Sequence, residues 1–487
     1  MDFQKNQTIR LEITDLGNEG EGIGKIDGFP FFVKDAVVGD IITAGVMKVR
    51  KNFGFARLIS VEKPSPDREE AVCPVARPCG GCRLQHMSYE AELRFKQKKV
   101  HDCLLRIGGI PEKILGPAEE PIMGMEKPWR YRNKAQYPIG VNAEGKVVAG
   151  FYAGRTHSII ESEDCALTPP EFQKILRVIL RFIEDHHIRP YDEKTGKGLV
   201  RHVLLRKGFA TGEIMVCLVC TSAKFPHSEE FVQEMKGIPG MTSVCINVNA
   251  EKTNVILGKK TETLYGEGYI TDILGGLKFR ISPLSFYQVN PVQAERLYMK
   301  AMEYAGLGEG TALPADGRQV RDIWDICCGI GTITLFAANT INKTCEKLSD
   351  DEKAALQEVR IHGLEIVPEA IEDAKVNASL NGIENVDFVA AAAEEYMPKY
   401  LQEHPDARAD VIIVDPPRKG LDPEVLRTAV EMQPERFVYV SCDPATLARD
   451  LKIMLAAGYK LTKFQAYDQF SRTSHVETVV LLTRQNT

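Results

Sequence analysis

From about residue 276 onward, short runs rich in β-branched and aromatic residues alternate with stretches of helical spacing. RDIWDI (321–326), RIHGLEI (360–366), NVDFVAA (385–391), DVIIVD (410–415), RFVYVS (436–441) and VETVVLL (476–482) read as strands. PEAIEDAKVNASLNG (368–382) and PEVLRTAVEM (423–432) read as helices between them. This alternation predicts an α/β fold with a doubly wound parallel sheet. Such a sheet also predicts where its ligand sits, because ligands bind beyond the carboxyl ends of the strands. Every strand end is therefore a candidate site position.

The first end, DICCGIG, carries Asp325 and then Gly329 and Gly331 in a tight turn into a helix. Glycines there let a cofactor approach the backbone, a pattern that dinucleotide-binding proteins share. The second end supplies Glu365, an acid suited to ribose hydroxyls, forty residues beyond Asp325. The fourth end is DPPR, Asp415 to Arg418, a signature of methyltransferases that use S-adenosylmethionine and act on bases. One strand–helix–strand unit later comes SCDPATLARD, with Cys442 just past a buried strand. Methyl transfer to an amine needs no thiol. Transfer to carbon does, because C5 of uracil is too weak a nucleophile to attack a sulfonium methyl unaided. A thiolate adding to C6 makes C5 an enolate carbon that can attack. The methylated C5 then holds a proton that a base must remove, and Glu477 in SHVETVV is the candidate.

Near the other end of the chain, Cys73, Cys79 and Cys82 form C-x5-C-x2-C around Gly80 and Gly81, and Cys165 is a fourth thiol. Four thiolates suit zinc or an iron–sulfur cluster, and spacing alone does not choose between them. Cys217 and Cys220 lie in a buried-strand pattern and point to opposite faces, so they do not share a metal. Net charge is −6, yet KVRKNFGFAR (48–57), RFKQKK (94–99) and KPWRYRNK (127–134) are basic, free of acids and interleaved with aromatics. Such patches suit phosphates and unpaired bases, so RNA is an expected partner. No run is long and apolar enough for a membrane, and the start MDFQKNQTIR lacks the apolar core of a signal peptide. A cytoplasmic location is expected, where the twelve cysteines act as metal or catalytic groups rather than disulfides.

Together DPPRKG, SCDPATLARD, SHVE, and FYQVNP at 286–291 resemble the RNA uracil-5 (m5U) methyltransferases. The resemblance implies a Rossmann-like S-adenosylmethionine-dependent methyltransferase domain, preceded by a TRAM β-barrel and a β-rich central domain. The implied limits are 1–62 for the TRAM (OB-like) RNA-binding domain, 66–90 with 117–275 for the central domain and its cysteine cluster, and 91–116 with 276–487 for the methyltransferase domain. It makes Cys442 the nucleophile and Glu477 the base, with Gln288, Cys327, Glu365 and Asp415 at the cofactor. Cys327 departs from the family, which usually has an aromatic residue there, and FVAAAAEE (388–395) lacks the polar residue expected near the adenine. The family's cysteine pattern holds a [4Fe–4S] cluster, which favours iron over zinc for Cys73, Cys79, Cys82 and Cys165. The expected function is formation of 5-methyluridine in 23S ribosomal RNA by a monomer. The alternatives are the transfer-RNA T-loop as substrate, or a non-catalytic RNA-binding or folding factor on the same scaffold. Connections at 308–320 and 340–358 are expected to be surface inserts.

Overall fold

The computed structural model describes residues 3–154, 156–162, 164–307, 320, 322–345 and 359–485. The first unit is a closed barrel of β1 (Thr8–Leu16), β2 (Gly22–Ile26), β3 (Phe29–Lys34), β4 (Ile41–Val49) and β5 (Gly54–Lys63), in the order β1-β2-β3-β5-β4. Period-two alternation fills its interior with Ile9, Leu11, Ile13, Phe31, Val33, Ile42 and Val46, all buried. Asp40 ties the barrel to the segment that follows. Its completely buried carboxylate accepts from the backbone N–H groups of Val37 and Ser65 (2.7 and 2.9 Å) and from the Arg68 guanidinium (2.5 Å).

The cysteine-bearing segment contains a single helical turn, α1 (Ala76–Cys79), and leads into α2 (Tyr89–Arg106), capped by Ser88 Oγ accepting from Ala91 N. After α3 (Glu112–Ala118), strand β6 (Glu119–Met123) pairs in parallel with a strand near the carboxyl terminus. Residues 119–123 therefore belong to the carboxy-terminal sheet and not to the central unit that was expected to begin at 117. Sequence pattern did not give this, because EEPIM has neither alternation nor a continuous apolar run.

The central unit is a seven-stranded sheet, ordered β13-β12-β11-β10-β7-β8-β9. Its strands are β7 (Lys134–Val141), β8 (Val147–Tyr152), β9 (Ile159–Glu161), β10 (Val200–Lys207), β11 (Ile214–Cys220), β12 (Met241–Val248) and β13 (Lys260–Tyr265). Helices α4 (Pro170–Asp185) and α5 (Ser228–Lys236) pack on one face through Phe172, Ile179, Phe182 and Phe231. Cys220 joins that face, whereas Cys217 joins a small cluster with Leu204 and Cys245 on the other. A hairpin of β14 (Ile270–Leu274) and β15 (Leu277–Ile281) then leads to α6 (Pro291–Ala305).

The last unit is an eight-stranded sheet with apolar clusters on both faces. It comprises β16 (Asp322–Ile326), β17 (Arg360–Glu365), β18 (Val386–Ala390), β19 (Val411–Val414), β20 (Arg436–Ser441), β21 (Tyr459–Tyr467), β22 (Glu477–Arg484) and β6. The order is β18-β17-β16-β19-β20-β22-β21-β6. The first five are parallel, and β22 is antiparallel to both β20 and β21. The all-parallel expectation thus fails at β22, because periodicity carries no information about strand direction. Helix α7 (Thr332–Cys345) follows β16. It occupies the start of the insert expected at 340–358, and 346–358 lie outside the described residues. The insert expected at 308–320 also lies outside them, Val320 excepted.

Replacing Asp40 by Ala should leave the buried N–H groups of Val37 and Ser65 without acceptors and lower stability by on the order of 3 kcal/mol. Burial pushes this carboxyl up, but Arg68 and the two backbone donors outweigh it and hold it below its ordinary value. Its contribution is therefore present at neutral pH and lost as pH falls through the folded-state value. A pH series of thermal melts on wild type and Asp40→Ala checks this: the two curves should converge only at acid pH.

Candidate active site

Ser441 at the end of β20 pairs with Thr478 at the start of β22. Because β22 is antiparallel, its first residues lie at the same edge as the carboxyl ends of β16, β19 and β20. Cys442 and Glu477 are the next residues outward from that pair. The sequence around Cys442 explains why it stays there. The Asp443 carboxylate caps the helix Pro444–Ala456 by accepting from Ala445 N and Thr446 N (2.9 and 3.0 Å), and Pro444 fills the first helical position. Ser441 Oγ donates to the Asp443 carbonyl and accepts from its N–H. The thiol is thus fixed between a strand end and a capped helix.

Gln288, Cys327, Glu365, Asp415, Cys442 and Glu477 all line one cavity of about 640 Å³. Glu365 is oriented by two backbone donors, Gly329 N to Oε2 and Val367 N to Oε1, both at 3.1 Å. Gly329 has φ +56°, and a Cβ built there meets no atom within 4 Å, so the turn leaves open space beside Glu365. A bound nucleoside could use that space with the Glu365 carboxylate on its hydroxyls. Cys327 turns the chain with φ +68°, unusual for a residue with a side chain. Asn290 caps α6 ahead of Pro291, which fixes Gln288 two residues earlier. The Gln288 carbonyl accepts from Asn133 Nδ2 (2.9 Å), and its Oε1 accepts from Gln469 Nε2 (3.3 Å).

The cavity is lined by several acids. Burial, with the charge of Asp325 added, pushes the Asp415 carboxyl up to about 7. Burial also pushes Asp325 up to about 7, although Thr334 Oγ1 donates to it at 2.6 Å. Glu477 is raised well above its ordinary value by burial and by Asp415, with Arg418 opposing. The Cys442 thiol is pushed up to about 12 by burial, then by Glu477 and Asp415, and Arg418 again opposes. Arg418 is therefore the cation that both of the last two groups face. His475, which also lines the cavity, is held neutral at about 4 by burial and by Arg418 and nearby lysines.

At the amino-terminal side, Cys82 and Cys165 each feel the charge of the other three expected ligands or of two of them. Burial raises the thiols of Cys79 and Cys165 and pushes Cys82 up to about 12. Several thiolates held this close need a cationic group to stay ionised. Among the described residues, His186, His227 and Glu230 are the one set of three or more His, Cys, Asp or Glu with ligand atoms within 4.8 Å of one another. The basic patches meet different fates. In RFKQKK, Lys96 is fully buried between acids and Lys99 donates to the carbonyls of Asn18 and Ser474, so neither presents a free cation to RNA. On the barrel, Phe53 and Phe55 of KVRKNFGFAR form an aromatic cluster with Phe32.

Sequence reading missed Arg418, Tyr298 and Phe470 as cavity residues. Arg418 was visible inside DPPRKG, where a cation beside a required thiol could have been weighed. Tyr298 and Phe470 carry no such signal; an apolar helix position and an irregular segment reach the cavity only through folding.

Residues 310–485 match the family model described as tRNA (Uracil-5-)-methyltransferase, and residues 2–59 match the TRAM domain. A Clostridium tetani protein named as an uncharacterized RNA methyltransferase is 44% identical over 481 residues, covering 99% of this chain and 97% of its own. A Halalkalibacterium halodurans protein of the same description is 45% identical, covering 99% and 98%. Among solved structures, the Pyrococcus abyssi tRNA (uracil-54, C5)-methyltransferase in complex with S-adenosyl-L-homocysteine is similar over 98% of this chain and 100% of that one. Its TM-score is 0.73, at 26% identity.

The electrostatics make a direct prediction for the thiol. With a value near 12, its thiolate fraction should keep rising about tenfold per pH unit, where a free cysteine levels off above about 8.5. Iodoacetamide labelling of the Cys442 peptide, followed by mass spectrometry, should therefore accelerate steadily from pH 7 to 10. A plateau near pH 8 contradicts the acidic, buried environment.

Proposed function

Because this chain belongs to the RNA uracil-5 methyltransferase family and is an S-adenosylmethionine-dependent RNA methyltransferase, we propose that it forms 5-methyluridine in 23S ribosomal RNA through a covalent Cys442 adduct. The observation that carries this reading is the meeting of Cys442 and Glu477 in one cavity with Gln288, Glu365 and Asp415. S-adenosylmethionine supplies an electrophilic methyl group when bound. Glu365 is the proposed partner of the ribose hydroxyls, held ready by Gly329 N and Val367 N, and Gln288 and Asp415 are proposed to contact the rest of the cofactor. Cys442 Sγ adds to C6 of uracil, which turns C5 into the nucleophile. The thiol proton passes to water before the S–C6 bond forms, and the Arg418 charge favours the resulting thiolate against the surrounding acids.

After methylation, Glu477 takes the proton from C5 and the Cys442 sulfur departs. Burial and the Asp415 charge raise this carboxyl, which makes its ionised form a stronger base than an ordinary glutamate. The neutral His475 and the aromatic Phe470 complete the wall. The barrel with its aromatic and basic face is the proposed first contact with RNA.

Cys73, Cys79, Cys82 and Cys165 are proposed to hold a [4Fe–4S] cluster. The mutual influence of these buried thiols supports a shared site, and the resemblance of the cysteine pattern to that of the family favours iron over zinc. Such a cluster would brace the segment between the barrel and α2. The ribosomal substrate rests on the barrel and this cysteine set taken together. Transfer RNA is the second reading, favoured by the likeness to the Pyrococcus tRNA enzyme across nearly the whole chain.

Radiolabelled methyl transfer to 23S rRNA and tRNA transcripts separates the two substrates. Cys442→Ala should abolish it while leaving S-adenosyl-L-homocysteine affinity nearly unchanged, and RNA containing 5-fluorouridine should trap the wild-type protein covalently. Glu477→Gln should still add and methylate but release product about 10²–10⁴-fold more slowly, leaving a denaturant-stable protein–RNA complex on a gel. Normal turnover in either variant would falsify the mechanism.

Protein prepared without oxygen should be brown and contain about four irons per chain. Cys79→Ser or Cys165→Ser should lose the iron with little change in cofactor affinity. Stoichiometric zinc without visible absorbance overturns the cluster.

A further inference from the structure

Residues 468–476 join β21 to β22 and end one residue before Glu477. They place Phe470 and His475 in the cavity wall. The segment belongs to no helix or strand, yet Asp468, Gln469, Ser471, Arg472, Thr473 and Ser474 are all buried. A buried irregular segment must satisfy its backbone from outside itself, and α2 does this with one face.

Tyr89, Glu92, Lys96 and Lys99 follow at intervals of three, four and three, which places them in a row along the helix. Tyr89 Oη donates to Asp468 Oδ2 (2.6 Å), and Lys96 Nζ donates to Asp468 Oδ1 (2.5 Å) and to the Phe470 carbonyl (3.1 Å). Glu92 Oε1 accepts from Arg472 N (2.7 Å), and Lys99 Nζ donates to the Ser474 carbonyl (2.9 Å). Residues 468, 470, 472 and 474 are thus all held by side chains of one helix. Arg472 completes the frame, its guanidinium donating to the Met87 carbonyl and lying over the rings of Tyr89 and Trp129. The Arg472 carbonyl accepts from Leu84 N, two residues past Cys82.

Lys96 is the centre of this frame and is fully buried, with Glu92 at 2.7 Å on its other side. An ion pair that deep gains little stability over an apolar replacement. Its distinctive property is direction: one ammonium reaches two acids and the Phe470 carbonyl at once. We propose that Lys96 is a positioning residue which, through Asp468 and Phe470, sets Glu477 and the cavity wall relative to Cys442 and so governs proton removal from C5. This rests on the roles given above to Cys442 and Glu477.

The test uses the whole protein, S-adenosylmethionine and whichever transcript the wild type methylates. In Lys96→Met, kcat should fall at least about tenfold while KM for RNA changes less than about threefold. A denaturant-stable protein–RNA complex should accumulate, because addition and methylation proceed and release stalls. The paired variant Lys96→Met/Asp468→Asn removes both charges and should behave alike with its thermal transition nearly unchanged. If both fail to fold, Tyr89→Phe decides, since it deletes one hydroxyl: a severalfold loss of kcat with trapped complex is expected. Turnover within about twofold of wild type in a folded variant overturns the proposal, as does lost turnover without trapped complex. If wild-type protein forms no adduct with 5-fluorouridine RNA, the uracil mechanism itself fails and this proposal falls with it, a result distinct from the others.

Discussion

The site depends on one strand direction. Had β22 run parallel to β20, its first residue would lie at the opposite edge of the sheet, some 20 Å away by strand rise alone. Antiparallel pairing of Ser441 with Thr478 instead brings the chain back to the ligand edge. A thiol from one strand end and an acid from the beginning of another then face the same cavity. Everything else at that edge is organised around the meeting: the cap that holds Cys442, the turn that opens space beside Glu365, and the segment that delivers Glu477.

Proximity creates an electrostatic problem. Asp415, Glu477 and Arg418 line one cavity, Asp325 is completely buried, and burial lifts all three carboxyls. The same burial raises the Cys442 thiol and so disfavours its reactive thiolate in the free protein. Arg418 opposes these shifts on both Cys442 and Glu477, so its position tunes the two groups together. The frame on the other side of Glu477 has balanced charge, with Lys96 and Arg472 against Glu92 and Asp468.

The barrel and the cysteine-bearing segment are more than appended modules. Lys99 of α2 donates both to Asn18 of the barrel and to Ser474 beside the cavity, so a single side chain spans the two units. The methyltransferase sheet is apolar on both faces, and the amino-terminal parts meet it through apolar packing, as at Val100 and Leu104, together with buried polar and ionic groups. Polar contacts of that kind fix direction and register where apolar packing would tolerate sliding.

The sequence by itself determined the parts whose signal is local. Apolar runs ending in DIC, GLE, DPPR and SCDP marked the strand ends, because parallel-sheet strands buried on both faces read as continuous apolar segments. Motif order and the need for a thiol and a base singled out Cys442 and Glu477, and both line the cavity with Gln288, Cys327, Glu365 and Asp415. Tertiary structure decided what depends on partners distant in the chain. The reversal of β22, the recruitment of β6 to the sheet edge and the burial of Lys96 leave no local trace; RFKQKK looks like a solvated basic face until Asp468, some 370 residues away, is folded against it. Periodicity encodes which face of an element is apolar, but direction, neighbour and ion-pair partner are set only when the whole chain closes.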